Sequence, residues 1–298
     1  MNRFTRHIAL ILFFVITISI VFDFVYTKVY ETATMSRTKF QYLRSLKNAK
    51  IDYLFLGSSR VENTIIPKLI KDETGKSAVN LGFQASKLSD IYTVLQLTKE
   101  YNISVDKIFI QVDYIFNAED GYSNVFQYEL MPFVRENKTT KEYFKSHFKE
   151  KEELFYFPFY RYCIFDAKIG SREFSMNLIN KRTKITESYG FVGLEGNSSE
   201  HTNSLPDYIN QRNRYFDKIK VYAYKNKMDI VFFCAPFCKH TKNLNFVEKL
   251  KKKIPDLRDF SQAVKSDELF KNCSHLNKEG ADFFTEIIIK KMLLNIPE

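Results

Sequence analysis

The chain has 298 residues and a formal net charge of +10. This length accommodates one large α/β domain with an insertion. The positive charge suits an anionic membrane or polymer surface, and a solvated lysine-rich surface explains it as well. The sequence has neither zinc-knuckle spacing nor an RNA-binding signature, which argues against a nucleic-acid-binding protein.

An apolar segment stands at the N-terminus. Residues 8–22 carry no charge, and the apolar run continues to Tyr26 beyond a single Asp23. At about 1.5 Å per residue the whole run would span roughly 28 Å, close to the thickness of a bilayer core. A cleavable signal peptide is the alternative, but no small-x-small site follows closely, which favours an uncleaved anchor. Arg3 and Arg6 favour a cytoplasmic N-terminus, with the rest of the chain outside the cytoplasm.

The first predicted strand leads into a turn of small residues. Residues 53–56 are apolar and run directly into Gly57, Ser58 and Ser59, and a helical spacing of apolar residues follows from Thr64. In an open α/β sheet, such a turn presents a hydroxyl group at the carboxyl edge of the strands, where ligands bind. An ordinary βα turn is the competing explanation, because Gly and Ser are common turn residues.

Strands and helices alternate through most of the remaining chain. We predict strands at 77–82, 107–113, 229–236 and 257–260, and helices at 88–101, 206–227, 243–252 and 278–294. This alternation predicts an α/β fold of three layers, a parallel sheet with helices on both faces.

Residues 114–205 interrupt the alternation. They are rich in aromatic and basic residues and show little strand patterning. We predict a mostly helical insertion over or beside the site, whose aromatic side chains suit a core better than a sugar-stacking surface. The predicted organisation is therefore a transmembrane anchor at 1–26, a helical stalk at 27–48, and a domain at 49–298 that contains the insertion.

A polar turn precedes the last predicted helix. Residues 272–275 form this turn, with His275 at its end, and the helical pattern begins at Lys278. A lone histidine is usually a satisfied surface or core residue, and His275 differs from the others by its place before a terminal helix. His147, His201 and His240 lack such a context, although His240 follows the strand predicted at 229–236 and could line the site.

The two ends of the domain resemble a known superfamily. Phe-Leu-Gly-Ser-Ser at 55–59 and His-Leu-Asn-x-x-Gly-Ala at 275–281 are similar to the serine and histidine blocks of the SGNH/GDSL-type hydrolases. The resemblance is to their membrane-anchored cell-envelope branch, which includes D-alanyl-lipoteichoic acid biosynthesis and alginate O-acetyltransferase-like proteins. It implies an SGNH-like (flavodoxin-like) fold, with Ser59 as the acyl nucleophile, Ser58 in the position of the family's Asp, and His275 as the base.

The family's acidic residue, three positions before the histidine, is Asn272 in this chain. An asparagine can accept the N–H of the imidazole and hold the ring, but it cannot stabilise an imidazolium by charge. Asp259 and Asp267 are the nearest carboxylates in the sequence that could assist. A weakened or inactive site is the third possibility.

The resemblance also implies an oxyanion hole, which needs donors aimed at the developing negative charge. Its donors would be the backbone N–H groups of Ser59 and of Ala85, which stands at the position of the family's second-block glycine. Gly82 would give this loop its flexibility. The family's third block, Gly-x-Asn-Asp, is missing, and Asn117 cannot be assigned to it from the sequence.

The resemblance predicts an extracytoplasmic O-acyltransferase or esterase that acts on ester-linked acyl groups of a cell-envelope polysaccharide through a serine acyl-enzyme. Transfer is favoured, because relatives in the envelope branch often lose the third block and because the insertion could limit access of water. The alternative is a non-catalytic envelope protein that keeps the fold for binding or scaffolding. The predicted partners are the membrane, an envelope glycan or polymer, and a membrane-bound acyl donor protein, with no cofactor and no metal.

The four cysteines are Cys163, Cys234, Cys238 and Cys273. Because the Cys234-x-x-x-Cys238 spacing has no partner pair, a structural zinc site is not predicted. In an oxidising compartment Cys273 could form a disulfide with Cys234 or Cys238, and buried free thiols are an equally good alternative.

Overall fold

A computed structural model describes residues 3–197 and 202–294 of the chain. These residues form two compact units. The first combines the residues up to 41 with residues 127–183, and the second combines residues 42–126 with the residues from 184 onwards.

The helices and strands are numbered in chain order. The helices are α1 (Arg3–Thr32), α2 (Lys39–Ser45), α3 (Ser59–Glu62), α4 (Pro67–Thr74), α5 (Leu88–Glu100), α6 (Asn124–Leu130), α7 (Lys138–His147), α8 (Glu153–Tyr156), α9 (Tyr160–Ile164), α10 (Asp166–Ile169), α11 (Ser171–Leu178), α12 (Lys184–Glu187), α13 (Arg214–Lys225), α14 (Asn245–Lys253) and α15 (Lys278–Ile288). The strands are β1 (Lys50–Gly57), β2 (Ala78–Gly82), β3 (Ser104–Gln111), β4 (Asn203–Ser204), β5 (Ile230–Cys234), β6 (Thr241–Lys242), β7 (Arg258–Asp259), β8 (Phe270–Asn272) and β9 (His275–Leu276).

The central sheet of the second unit has five parallel strands in the order β2-β1-β3-β5-β7. Leu54 of β1 is in register with Val79 of β2 and with Ile108 of β3. Leu54, Phe55 and Leu56 are fully buried, as expected of a parallel strand that is covered on both faces. The prediction of an α/β fold with a parallel sheet flanked by helices is confirmed.

The connections of β1 create a topological switch point. The chain leaves β1 to form β2 on one side of it, and then returns to form β3 on the other side. Open α/β sheets bind ligands outside the carboxyl ends of the strands at such a point. The topology alone therefore predicts a ligand-binding site at the carboxyl ends of β1 and β3.

One apolar core of the second unit joins the sheet to α15. Phe55 and Phe109 stack with their ring centroids 4.7 Å apart, and both are fully buried. Phe284 and Ile288 of α15 belong to the same cluster. Asn277 caps α15 by accepting a backbone N–H group of its first turn. This packing fixes the start of α15, and with it the polar turn that precedes the helix.

The helix that the apolar spacing predicts from Thr64 begins earlier and is interrupted. It starts as α3 at Ser59, directly after β1, and ends before Asn63. A second helix, α4, starts at Pro67, because the fixed backbone of proline suits a first helical turn. The predicted helix is thus present as α4, but its start was wrong by three residues, because Ile65, which suggested a helical face, is buried in the segment that connects the two helices.

The other predicted strands and helices of the second unit are present, and most of their ends differ by only a few residues. The exception is the helix predicted at 206–227, which starts at Arg214. Asn213 caps it by accepting the N–H groups of Tyr215 and Phe216, so the helix begins at this cap and not at the earlier proline.

The first unit is built around α1. In the part of the chain that the structure describes, α1 is the helix that is long and apolar enough to cross a membrane. Its apolar side chains between residues 4 and 25 are exposed, whereas Tyr30 is buried and donates its hydroxyl to the carbonyl oxygen of Ile169. The predicted stalk at 27–48 is helical to Thr32 and again in α2.

The residues predicted as one insertion, 114–205, are divided between the two units. Residues 127–183 belong to the first unit and form mostly short helices, α7 to α11. The described residues of 184–205 belong to the second unit. The insertion is therefore helical chiefly where it belongs to the unit that contains α1.

Candidate active site

Ser59 stands at the start of α3, at the carboxyl end of β1. Its Oγ atom lies 2.8 Å from Nε2 of His275, although the two residues are 216 positions apart in the chain. Gly57 allows the tight turn from strand to helix, because a Cβ atom there would lie 2.3 Å from a methyl carbon of Val61. The structure therefore brings together the two residues predicted as nucleophile and base.

His275 lies on the hairpin β8–β9, where it pairs with Asn272. Its Nδ1 atom is 3.0 Å from Oδ1 of Asn272, which also accepts the backbone N–H of Ser274. Because an amide oxygen can only accept, Nδ1 of His275 carries the proton in this contact. Nε2 is then left to accept the hydroxyl proton of Ser59, which is the tautomer that a general base needs.

The imidazole ring of His275 is neutral at ordinary pH. Burial, and secondarily the positive charge of Arg60, lower the pKa of His275 to about 4. A neutral ring can take a proton from a serine. However, Asn272 supplies no negative charge to stabilise the imidazolium ion that results.

Arg60, the residue after the serine, is fully buried. Its Nη1 atom donates to the carbonyl oxygen of Ser274 at 2.5 Å. Its Nη2 atom donates to the carbonyl oxygens of Ala235 and Pro236 at 2.7 and 2.8 Å. Arg60 therefore joins α3 both to the hairpin that carries the histidine and to the loop after β5.

Asp113, just after β3, neutralises Arg60. Its carboxylate lies 2.7 Å from Nε of Arg60, and both side chains are fully buried. Gln111 donates to the same carboxylate, and its own carbonyl oxygen accepts the backbone N–H and the hydroxyl of Ser58. A buried guanidinium would be strongly destabilising without such a counter-charge. These contacts tie the carboxyl ends of β1 and β3 together at the switch point.

Two residues predicted for the oxyanion hole lie at the carboxyl end of β2: Gly82 is its last residue, and Ala85 is in the loop that follows. Ala85 has a left-handed backbone with φ of 56°, a conformation in which glycine is the usual residue. The N–H of Gly82 donates to Oδ1 of Asn80, so it is not available to an oxyanion. A Cβ atom at Gly82 would lie 2.4 Å from the backbone nitrogen of Glu62, so this glycine allows close packing against α3. The N–H groups of Ser59 and Ala85 remain as candidate donors.

The other polar residues considered from the sequence have partners elsewhere. Nδ1 of His275 contacts Asn272, so Asp259 and Asp267 do not take that place. His201 lies outside the described residues. The contacts of the others are Asp267 with Lys239 and His240, Asp259 with Ser261, Asn117 with Tyr208 and Asn210, and His147 with Tyr143 and Ser146. Within residues 3–197 and 202–294, no group of three or more His, Cys, Asp or Glu side chains could hold a metal ion.

A disulfide joins Cys238 to Cys273. Of the two partners that the sequence leaves open for Cys273, the structure has Cys238. Cys234 is a buried free thiol, and Cys163 is an exposed free thiol. The backbone N–H of Cys238 also donates to the carbonyl oxygen of Cys273. The disulfide therefore connects the loop after β5 to a position two residues before His275.

A segment of the predicted insertion, residues 189–194, lies beside α3. Val192 donates its N–H to the carbonyl oxygen of Glu62 and accepts the side-chain N–H of Asn63. The carbonyl oxygen of Leu194 accepts the N–H of Lys278 at the start of α15. This segment borders the two helices that follow the serine and the histidine, so this part of the insertion lies beside the site.

The roles of Arg60, Gln111 and Asp113 do not follow from the local sequence pattern. Gln111 and Asp113 nevertheless carry a signal, because they are polar residues at the end of a strongly apolar strand. That end belongs to the edge of the sheet where ligands bind. The signal for Arg60 is weaker: a charged residue stands directly after the candidate nucleophile.

No protein-family model matches the chain, and no curated protein matches it. Function therefore has to be argued from the chemistry and geometry of the site.

Proposed function

We propose that the chain is a membrane-anchored, extracytoplasmic enzyme of the SGNH type that forms an acyl-enzyme on Ser59. Its reaction would be O-acyl transfer, with ester hydrolysis as the runner-up, on ester-linked acyl groups of a cell-envelope polysaccharide. The observation that carries the proposal is the series Ser59–His275–Asn272, with contacts of 2.8 and 3.0 Å. A nucleophile, its base and the group that orients the base need contacts of this length.

The topology supports the same proposal. The five strands of the sheet follow the order of flavodoxin-like folds when the short strands outside the sheet are left out of the numbering. Ser59 follows the first of these strands, and His275 lies in the hairpin before α15. The serine and histidine blocks of the resemblance thus stand where the chemistry needs them.

The proposed reaction has two halves. In the first, Oγ of Ser59 attacks the ester carbonyl and its proton passes to Nε2 of His275. The carbonyl oxygen becomes an oxyanion, for which the N–H groups of Ser59 and Ala85 are the candidate donors. The alcohol then leaves with the proton from His275, and the acyl group stays on Ser59. In the second half an acceptor hydroxyl, or water, gives its proton to Nε2 of His275 and attacks the acyl group. The bond between the acyl group and Oγ of Ser59 then breaks, and the proton passes from His275 to Oγ, which restores the serine and the neutral histidine.

Two features support an uncleaved anchor and a location outside the cytoplasm. Thr27 and Tyr30 of α1 contact Tyr162 and Ile169, so cleavage behind the apolar run would remove part of the packing of the first unit. The disulfide in the second unit suits an oxidising compartment. An anchor would also hold the domain beside a membrane-bound acyl donor, which favours transfer.

Covalent labelling of Ser59 tests the proposal. The full-length protein in detergent should form one adduct with a fluorophosphonate, and mass spectrometry of the digested protein should place it on Ser59. Ser59→Ala should abolish the adduct, whereas Ser58→Ala, which alters the neighbouring hydroxyl, should keep it. Absence of an adduct on the folded protein would contradict an acyl-enzyme mechanism.

A second experiment separates transfer from hydrolysis. The protein is incubated with an activated acyl ester, with and without candidate envelope glycans, and acylated glycan and free acid are both quantified. If the protein is a transferase, adding the glycan should produce acylated glycan and lower the amount of free acid. Free acid alone, at the same rate with and without the glycan, would assign the protein as an esterase.

A non-catalytic binding or scaffold protein is the second candidate. Asn272 favours it, because this residue leaves the imidazolium ion of His275 without a negative partner. This candidate predicts a folded protein that binds envelope glycan, fails to label at Ser59, and binds equally well after Ser59→Ala.

A further inference from the structure

The apolar face of α1 is interrupted by one carboxylate, which is completely neutralised within the first unit. Oδ1 of Asp23 accepts from Nη1 of Arg161 at 2.5 Å and from the N–H of Phe159 at 2.8 Å. Oδ2 accepts from Nη1 of Arg135 at 2.8 Å. Asp23 is only 8% exposed. A charge within the apolar run of a helix is costly unless it is paired, so these contacts bind residues 135–161 firmly to α1.

The same contacts set the level of this segment along α1. The ring of Phe159 lies 5.4 Å from that of Phe22 and 4.9 Å from that of Tyr26. Phe159 has a left-handed backbone with φ of 65°, which is unfavourable for a bulky residue and is held here by the contact with Asp23. The segment around Phe159 is therefore level with the point where the apolar surface of α1 ends.

Four apolar side chains on this segment point outward. They form a surface that we call the aromatic edge: Tyr156 (61% exposed), Phe157 (63%), Tyr160 (37%) and Ile164 (53%). The rings of Phe157 and Tyr160 contact each other, with centroids 6.4 Å apart. Exposed apolar surface of this kind is unfavourable in water, whereas aromatic side chains are enriched where a bilayer meets water.

A cleft of about 430 Å³ runs along the same stretch of α1 and shows a matching change of polarity. Ile20 and Phe24 line it on the side of the apolar run. Lys28 and Glu31, further along the helix, line it together with Arg135. The first unit thus changes from apolar to charged within about two helical turns, which is the profile of a bilayer surface.

We propose that the aromatic edge sits in the interfacial layer of the bilayer that α1 crosses. The partner is the phospholipid surface itself, and residues 156–164 form a second membrane contact in addition to the anchor. This inference rests on the membrane span in the proposed function. It places the ion pairs of Asp23 at the boundary between hydrocarbon and head groups, where the partly exposed side chain of Arg135 also faces anionic lipid phosphates.

The absence of tryptophan from the sequence makes a direct test possible. Phe157→Trp introduces the only tryptophan of the chain on the aromatic edge and conserves its aromatic character; it is excited at a wavelength that the tyrosines do not absorb. The full-length variant is reconstituted into phosphatidylcholine–phosphatidylglycerol vesicles with and without lipids brominated on their acyl chains. We expect emission at short wavelength and a loss of intensity with the brominated lipids.

Two further single-tryptophan variants separate the possible outcomes. Ile179→Trp is the matched control, because Ile179 is 66% exposed and precedes Asn180, which contacts Thr34. Thr32, the last residue of α1, lies roughly 14 Å beyond Asp23 at 1.5 Å per residue, and Thr34 follows it, so this variant should not be quenched. Phe14→Trp, within the apolar run, should be quenched if α1 spans the bilayer.

Each pattern of quenching has one meaning. Quenching of Phe14→Trp and Phe157→Trp, but not of Ile179→Trp, supports the proposal. Quenching of Phe14→Trp alone would overturn the proposal while leaving the anchor intact. Equal quenching of Phe157→Trp and Ile179→Trp would also overturn it, because the contact would not be specific to the aromatic edge. No quenching of Phe14→Trp would remove the membrane span, and with it both this inference and the proposed location.

Discussion

Nδ1 of His275 lies 3.0 Å from Oδ1 of Asn272. This contact holds the imidazole in the tautomer that can accept a proton from Ser59. Asn272 carries no negative charge. The contact therefore orients the ring well but adds little to the stability of the imidazolium ion. The geometry of the site is thus more complete than its electrostatics, and the first prediction tests this difference.

Asn272→Asp should strengthen the base. A carboxylate beside Nδ1 stabilises the imidazolium, so the pKa of His275 should rise from its value of about 4. The reaction of Ser59 with a fluorophosphonate should become faster by roughly tenfold, since about 1.4 kcal/mol of added stabilisation of the developing imidazolium corresponds to a factor of ten in rate. The labelling rate and an NMR titration of His275 measure the two effects.

The control for this substitution is Asn180→Asp, which adds the same charge at an exposed asparagine whose Oδ1 also accepts two hydrogen bonds. It should leave the labelling rate unchanged. A slower reaction of Asn272→Asp in a folded protein would contradict the assignment of His275 as the base.

The pH dependence of labelling should show a low midpoint. Nε2 of His275 accepts the proton of Ser59 only when the ring is neutral, and burial together with Arg60 lowers the pKa of His275 to about 4. With an uncharged phosphonate, the rate should stay constant from pH 8 to about pH 5 and fall only near pH 4. An ordinary histidine, with a pKa of about 6.5, would give a much higher midpoint.

The same shift of the His275 pKa makes the stability of the fold depend on pH. The pKa is lower in the folded state than in the unfolded state, so the unfolded chain binds the proton first as pH falls. The contribution of His275 to the free energy of unfolding is therefore complete above about pH 6.5 and is lost as pH falls toward 4. The free energy of unfolding, measured by denaturation at pH 7 and at pH 5, should therefore be lower at pH 5. The decrease should be smaller in His275→Gln than in the unsubstituted protein. An equal decrease in both proteins would assign the effect to other groups.

Arg60→Met should destabilise the second unit and slow the reaction of Ser59. The substitution leaves Asp113 buried without its counter-charge and removes the donor to Ser274, which should cost about 3–5 kcal/mol. The buried thiol of Cys234 reports on unfolding of this unit, and Cys163→Ser as background removes the exposed thiol. The rate of thiol modification in increasing denaturant then gives the change in stability.

A double variant separates charge from bridging at Arg60. Arg60→Met combined with Asp113→Leu removes both charges and should recover much of the stability, but not the labelling rate of Ser59. Lys68→Met, which breaks the exposed pair with Asp72, should leave the stability almost unchanged. Full labelling by the double variant would show that Arg60 does not position the histidine hairpin.

The disulfide should stabilise the fold and keep His275 in place. Cys238 and Cys273 are 35 positions apart, for which the loop-entropy relation gives about 3–4 kcal/mol. Replacement of both cysteines by serine should lower the unfolding midpoint and slow labelling of Ser59, while Cys163→Ser should do neither. Thiol titration of the denatured, unreduced chain should find only Cys163 and Cys234; reaction of all four cysteines would contradict the pairing.

Much of the fold could be predicted from the sequence because its signals are local. Residues 53–56 and 107–113 read as buried strands because they are apolar, and Gly57 with the serines after it reads as a turn. Ser59 and His275 could be named because each stands in a short pattern next to a helix. The interruption between α3 and α4 was missed because Ile65 is buried without being helical.

What the sequence alone determined is therefore the order of the strands and helices, the apolar N-terminal run, and two chemically suitable residues at the ends of the domain. Only the tertiary structure decided which distant groups meet. Ser59 contacts His275, Cys238 rather than Cys234 pairs with Cys273, and Asp23 meets arginines more than a hundred positions away. The physical reason is that patterns of polarity and turn residues act over a few positions. The pairing of buried charges, thiols and hydrogen-bonding groups depends on how the whole chain packs.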